Sequence, residues 1–327
     1  MRARQAYYKI TADDIDMTEK LKNAVEDLTY TDNASKNSDD ISLSISNIVH
    51  LNKFTKLKLE ILTKNWKKEH DNNSFMCGVF LIDDMNISGF PEKCEINGIN
   101  SPINTDFLDS EVEKTWTKAS LKTILKDISK KYNLELIYDT SDNPIIPTAT
   151  QNKKSDSSFI EELCEKYGFC MKTYNNRLVI YKEHEYEKRS SKLKIKKIDV
   201  KSYSIKDKTR ESNYSKVEVK YKTGKSSTKN YIYSIHEKGN TLIVSETAEN
   251  LQEAMLIAKS ELRKANRDQV IIDLQMIGMT DLIATDCIEI EDFYDYDGKY
   301  FIDKIVHSFN SGYTIDISLH KILEGDY

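Results

Sequence analysis

The sequence predicts an α+β fold that is mainly β. Two β-rich parts, residues 1–110 and 188–327, flank an inserted small α/β module at 111–187. Three observations predict it. Short stretches of the first part alternate apolar and polar residues, the mark of half-buried strands. Residues 120–167 switch to apolar stripes at helical spacing. Alternation then returns after residue 188, interrupted by one helical stripe.

In the first part, residues 28–32 (LTYTD) and 41–45 (ISLSI) read as strands. The polar run 33–40 between them is rich in turn formers. Strands at 58–62 and 77–82 follow. Asp83 and Asp84 are expected to make a turn, after which 86–90 and 93–97 continue the meander. Strands this short and this closely spaced suggest a barrel or sandwich.

In the insert, Leu121, Ile124, Leu125 and Ile128 form one helical stripe, and a strand is expected at 134–138. After a Pro-containing loop the helix–strand plan recurs. Asp156 or Ser157 is expected to cap a helix carrying Phe159, Ile160, Leu163 and Tyr167. Gly168 stands where a left-handed C-terminal cap belongs, because glycine takes positive φ at little cost. Strands at 169–174 and 177–181 are joined by Asn175 and Asn176, a tight hairpin turn. The charged stretch 182–197 reads as a linker.

The last part begins with strands at 216–221 and 230–235. A helix follows, with Thr247 as N-cap and Leu251, Ala254, Met255, Ala258 and Leu262 as its stripe. Strands at 269–276, 287–290, 299–307 and 313–320 close the chain.

Composition narrows the function. The 327 residues carry a net charge of -5. That lacks the basic surplus which neutralises phosphates, and argues against specific nucleic-acid binding. Only 4 Pro and 10 Gly argue against disorder of the Pro/Gly-rich kind. The 19 Tyr suit half-wet strand faces and subunit contacts. The N-terminal residues lack the apolar stretch of a secretory signal. No window approaches the roughly 20 apolar residues that span a bilayer. Cys77, Cys94, Cys164, Cys170 and Cys287 are odd in number and form no CxxC, which reads as reduced thiols.

No catalytic constellation emerges: GxSxG, HExxH, Walker and GxGxxG patterns are absent. The expectation is no catalytic residue, no metal and no cofactor. The histidines (His50, His70, His184, His236, His307, His320) are scattered. His307 and His320 fall on late strands where they could meet, but a metal site needs a third ligand. Cys164 and Cys170 flank the end of the second insert helix; Cys164 sits among Phe159, Leu163 and Tyr167, as a packed core thiol would. Asp292, Asp295 and Asp297 resemble the start of a calcium loop, but expected strands flank them and a charged turn is favoured. The pairs Asp39 with Asp40 and Asp83 with Asp84 read as solvated turn carboxylates, with a lumen-facing charge or subunit contact as the alternative.

The pattern as a whole resembles the phage late-control D, or baseplate hub, family of contractile tails, related to the hub part of type VI secretion spikes. The resemblance rests on 28–33 (LTYTDN) followed by 39–45, on 78–80 and 82–84, and on Trp116, Gln151, 155–159 and 165–168 in the insert. Residues 253–258 and 297–307 extend it. One departure is that Ala284, Thr285 and Asp286 stand where the family often builds a turn around glycine.

The resemblance implies two tube-protein-like β-barrel domains per chain and a homotrimer. Its partners would be the tail tube or tube-initiator protein, the central spike protein, other baseplate proteins and the tape measure protein. It implies a structural, non-enzymatic hub in a virion or bacteriocin particle, assembled in the bacterial cytoplasm. The alternatives are a peptidoglycan- or glycan-binding tail module and a cell-wall hydrolase.

Overall fold

The computed structural model describes residues 3–46, 51–52, 55–100, 106–210 and 213–325. The fold is α+β and mainly β, with 53% of residues in strands and 19% in helices. The first part holds β1 (Gln5–Ala12), β2 (Ile15–Asp16), α1 (Thr18–Leu21), β3 (Val25–Asn33), β4 (Asp40–Ser46), β5 (Lys56–Lys64), β6 (Asn72–Ser88) and β7 (Lys93–Ile99). The middle holds α2 (Asp106–Asp109), β8 (Val112–Ser120), α3 (Leu121–Lys131), β9 (Glu135–Asp139), β10 (Ile145–Lys154), α4 (Asp156–Lys166), β11 (Cys170–Tyr174), β12 (Arg177–Tyr181) and α5 (Glu183–Glu187). The last part holds β13 (Leu193–Lys196), β14 (Val200–Asp207), β15 (Tyr214–Lys222), β16 (Thr228–Ser234), β17 (Asn240–Ala248), α6 (Leu251–Arg267), β18 (Val270–Ile277), β19 (Cys287–Glu291), β20 (Gly298–Phe309) and β21 (Tyr313–Lys321).

Alternation dictates the main sheet. In β5 the residues Leu57, Leu59 and Ile61 turn inward while Lys56, Lys58 and Glu60 turn out. The two β-rich parts do not stand apart. They join in one 13-stranded sheet of order β14-β18-β21-β20-β3-β4-β7-β6-β5-β1-β2, with β19 and β13 beside β20. The junction is the antiparallel pair β20 and β3, running from Lys304 opposite Asn33 to Phe309 opposite Leu28. One apolar cluster serves both halves, from Ile10, Leu43 and Ile96 to Ile272, Ile302 and Ile317.

The insert also shares its core. The stripes of α3 and α4 pack with Ala254, Ile257, Ala258 and Leu262 of α6 and with Val217 and Val219 of β15. β15 is the centre of a separate three-stranded sheet, β16-β15-β17. The residues of the insert that carried the resemblance meet: Trp116 stacks on Phe159 with ring centroids 5.3 Å apart, and the Gln151 amide donates to Asp156 over 2.9 Å. Gly168 takes φ +73, and Asn175 and Asn176 take φ 45 and 63, as their turn roles require.

Several expectations are corrected. Asp83 and Asp84 lie within the long strand β6, where a register shift between Ile82 and Asp84 absorbs them. The N-caps are Ser155 and Asn250, not Asp156 or Ser157 and not Thr247, which lies in β17. With α6 starting at Leu251, its buried face includes Ile257, while Leu251 and Met255 are 43% exposed. The stretch 182–197 is no linker. It holds α5 and β13, and Glu183, Tyr186 and Glu187 are buried. His50 lies outside the described residues. Among the described residues, no helix is long and apolar enough to cross a membrane.

Candidate functional site

The most densely built polar features are two buried ionic clusters that bind the α/β layer to the sheet. In the first, Glu183 and Glu187, one turn apart on α5, face Arg263 and Arg267, one turn apart on α6. Arg263 donates to Glu183 at 3.1 Å and Glu187 at 2.6 Å. Arg267 grips Glu183 with two parallel bonds of 2.9 and 2.7 Å and also bonds Asp303 of β20. His320 of β21 completes the cluster. Its Nδ1 lies 2.9 Å from the Asp303 carboxylate and its Nε2 2.9 Å from Glu187.

Burial alone would lower the His320 pKa, but Asp303 and Glu183 push it up to about 9. Burial likewise opposes ionisation of Glu183, yet His320 and the arginines hold it well below the usual carboxylate range. Three carboxylates thus face two guanidiniums and an imidazolium, so the cluster is neutral as a whole. Glu183, Asp303 and His320 lie close enough together to bind a cation. The Glu183 and Asp303 carboxylates already accept hydrogen bonds from Arg267, His320 donates to Asp303 and Glu187, and the guanidinium charge repels a metal, so the geometry is that of an ionic weld.

The second cluster corrects the reading of Asp39 as a solvated turn carboxylate; Asp39 is 1% exposed. Lys172 of β11 extends its Nζ to Asp32 (2.5 Å), to the Asn33 carbonyl (2.6 Å) and to Asp39 (3.0 Å). The Ala284 N–H donates to Asp32 and the Asn33 N–H to Asp39. Asp39 Oδ2 has no hydrogen-bond partner among the described residues. Burial raises Asp39 to about 7 against the pull of Lys172. Two buried carboxylates around one ammonium leave an excess negative charge, which a proton on Asp39 removes.

His307 and His320 do not meet. Across the β20–β21 ladder His307 lies opposite Ile315, and His320 lies opposite Phe301. His307 stacks between Tyr30 and Phe75, 2.8 Å from the Tyr313 hydroxyl, and burial lowers its pKa to about 3. It is a neutral core imidazole. Burial pushes the Cys164 thiol far up and that of Cys170 to about 12, which suppresses the nucleophilic thiolate. Asp297 accepts the N–H groups of Asp292 and Phe293, so its carboxylate closes the turn of its own loop. Thr285, in the turn that lacks glycine, nevertheless takes φ +84. Its N–H donates to the Ile302 carbonyl at 2.9 Å.

Among the described residues the main path of the sheet ends at β14 and at β1 with β2, and β13 ends the branch through β19. β14 is mostly exposed, and beside it stand Ile198 (87% exposed) and Tyr294 (72%). At the other end only Thr11 and Ala12 of β1 pair with β2, so its N-terminal half is unpaired on that side among the described residues. Open strand edges attract further strands unless covered.

No family model matches this sequence, and none of the curated proteins is a significant match. Solved structures do match it. The tail protein from Neisseria meningitidis MC58 superposes with a TM-score of 0.73 at 10% identity, covering 97% of this chain and 96% of that one. The 43 kDa tail protein of prophage MuSo2 from Shewanella oneidensis gives 0.70 at 13% identity, covering 96% and 98%. This chain has the fold of phage tail proteins. A third match is the E. coli c3393 protein, described as a component of the type VI secretion system with structural similarity to the T4 tail proteins gp27 and gp5. Its TM-score is 0.56 at 10% identity, over 99% of this chain and 78% of that one. At such low identity the backbone plan is held in common while the side chains differ, so the welds described above are argued from this chain's own residues.

Proposed function

We propose that this chain is the structural baseplate hub of a contractile phage tail or phage-tail-like bacteriocin, joining the hexameric tail tube to the trimeric central spike. The observation that carries the reading is the end-to-end likeness, 96% of this chain against 98% of a phage tail protein. Whole-chain coverage favours a tail component over a module borrowed by another class of protein. The type VI secretion component, with its own likeness to T4 tail proteins, points the reading toward the spike end of the tail.

The architecture supports a homotrimer. Each chain carries two strand-rich halves in one sheet whose main path ends in the edge strands β14 and β1. Three copies in a ring would present six halves to a hexameric tube and a threefold axis to a spike, and a cyclic arrangement stops growth. The division into 1–110, 111–187 and 188–327 belongs to the same proposal, with the insert at the periphery or facing the tube. The role is non-enzymatic, since the buried titratable groups serve as welds between layers. A net charge of -5 suits a channel that must not grip a passing polyanion or tape measure chain. An epitope tag on the chain, decorated with antibody and imaged on whole particles, tests the location. Label at the spike end of the tube is expected; label along the sheath or on the fibres contradicts the proposal.

A further inference from the structure

The β6–β7 hairpin carries the most exposed large apolar side chain among the described residues. Phe90 is 97% exposed at the hairpin tip, and Ile87 behind it is 52% exposed. Glu92, two residues on, is exposed too. An aromatic ring held in water on a rigid hairpin gains most when it enters a pocket.

The chain also holds a crevice with the complementary chemistry. Between the outer face of β5 and β6 and the β11–β12 turn lies a cleft of about 420 Å³, within the roughly 300–1,000 Å³ range of ligand pockets. Met76, Val79 and Leu81 form its apolar walls, and Lys56 and Lys58 stand at its rim. Lys58 pairs with Asp14, while Lys56 has no ion pair among the described residues. Asn100, 1% exposed, lies at the floor of the cleft, and Gly78 has room for no side chain there, since a Cβ would lie 2.8 Å from Asn100 Nδ2.

We propose that this crevice receives the Phe90 hairpin tip of a second copy of the chain. The ring of Phe90 fits the apolar walls, and Glu92 meets Lys56. The occupant cannot come from the same copy. Val79 and Phe90 lie eleven residues apart on and beyond one extended strand, roughly 30 Å at the rise of a strand. The contact is heterologous, because tip and crevice are different surfaces, and repetition about a rotation axis closes it into a ring. The inference rests on the proposal that copies of the chain stand side by side in a tail.

The test places the photo-reactive residue p-benzoyl-phenylalanine at position 90 and irradiates assembled particles. The expected result is a cross-linked dimer whose adduct maps to residues 76–81 or to Asn100 of a second copy. An adduct on another particle protein, an adduct within one copy, or no adduct overturns the inference. Phe90→Asp is expected to leave the melting of the free chain unchanged and to lower its incorporation into particles about tenfold or more. Unchanged incorporation contradicts the proposal. Particles with the chain at the tube–spike junction but with adducts elsewhere sink this contact alone. A chain found away from that junction sinks the hub reading instead.

Discussion

His320 has no exposed surface and is bonded at both ring nitrogens, so its proton is part of the weld between α5, α6 and the sheet. The groups facing it are Glu183 and Glu187 from α5, Arg267 from α6 and Asp303 from β20. Its folded pKa, about 9, stands above the ordinary 6.5. The stabilisation is therefore full below pH 6.5 and lost as pH rises through 9. A shift of that size corresponds to about 3 kcal/mol. His320→Gln should lower the denaturation midpoint at pH 6 and flatten the fall in stability between pH 6.5 and 9. Parallel urea titrations of both proteins across that range measure it, and equal slopes would contradict the weld. Asp39 has the same sign. Its folded pKa of about 7, against an ordinary 3.8, favours the folded state at low pH and is lost as pH rises through 7. Asp39→Asn should remove that loss, so the variant gains on the wild type as pH goes from 5 to 8; a constant difference would argue against a proton on Asp39. Sequence reading finds residues that obey local rules, such as Gly168 as a cap and Asn175 with Asn176 as a turn. It misses these clusters because Glu183 and Arg267 lie 84 positions apart. The legible hint is the matched spacing: two glutamates and two arginines, each pair one helical turn apart.

At the scale of elements, strands with one buried face were legible and the edge strands of the main sheet were not. β5 alternates without a break, and β21 does so as far as Leu319, after which His320 is buried too. β14 is exposed at nearly every position, so period-two alternation has nothing to mark, and β1, β8, β10 and β17 escaped the reading as well. The helix stripes of α3 and α4 were found, whereas in α6 the cap was set three residues early and the stripe, right at Ala254, Ala258 and Leu262, took in the exposed Leu251 and Met255 in place of Ile257. Asn250 accepts the Glu253 N–H, and Glu253 folds back to accept the Glu249 N–H. The turn at 284–286 gives a prediction at this scale. A β-branched residue at φ +84 is strained by about 1–2 kcal/mol, and glycine removes that strain at some entropic cost in the unfolded chain. Thr285→Gly is expected to raise stability by about 1 kcal/mol or slightly less. A loss of stability in denaturant titration would mean that the Thr285 side chain contributes more than its backbone conformation costs.

For the whole molecule, chain order and packing divide the protein differently. The first and last parts close on one apolar cluster, and the insert closes on a second cluster that it shares with β15 and α6. Burial thus ties the three proposed segments together through residues far apart in the chain. Residues 111–187 expressed alone would expose the face of α4 that meets α6. Such a fragment is expected to keep helical circular dichroism and melt without a sharp transition; a cooperative melt would show that its core is self-sufficient. In the proposed assembly the two-halved sheet and its edge strands would meet neighbouring copies. The most direct measurement is a cryo-electron-microscopy reconstruction of the intact particle at the tube–spike junction. Three copies of this chain in a closed ring are expected there, with their strand-rich halves in pseudo-sixfold register with the tube. Six copies per particle, or density for the chain on the sheath or fibres, would contradict it.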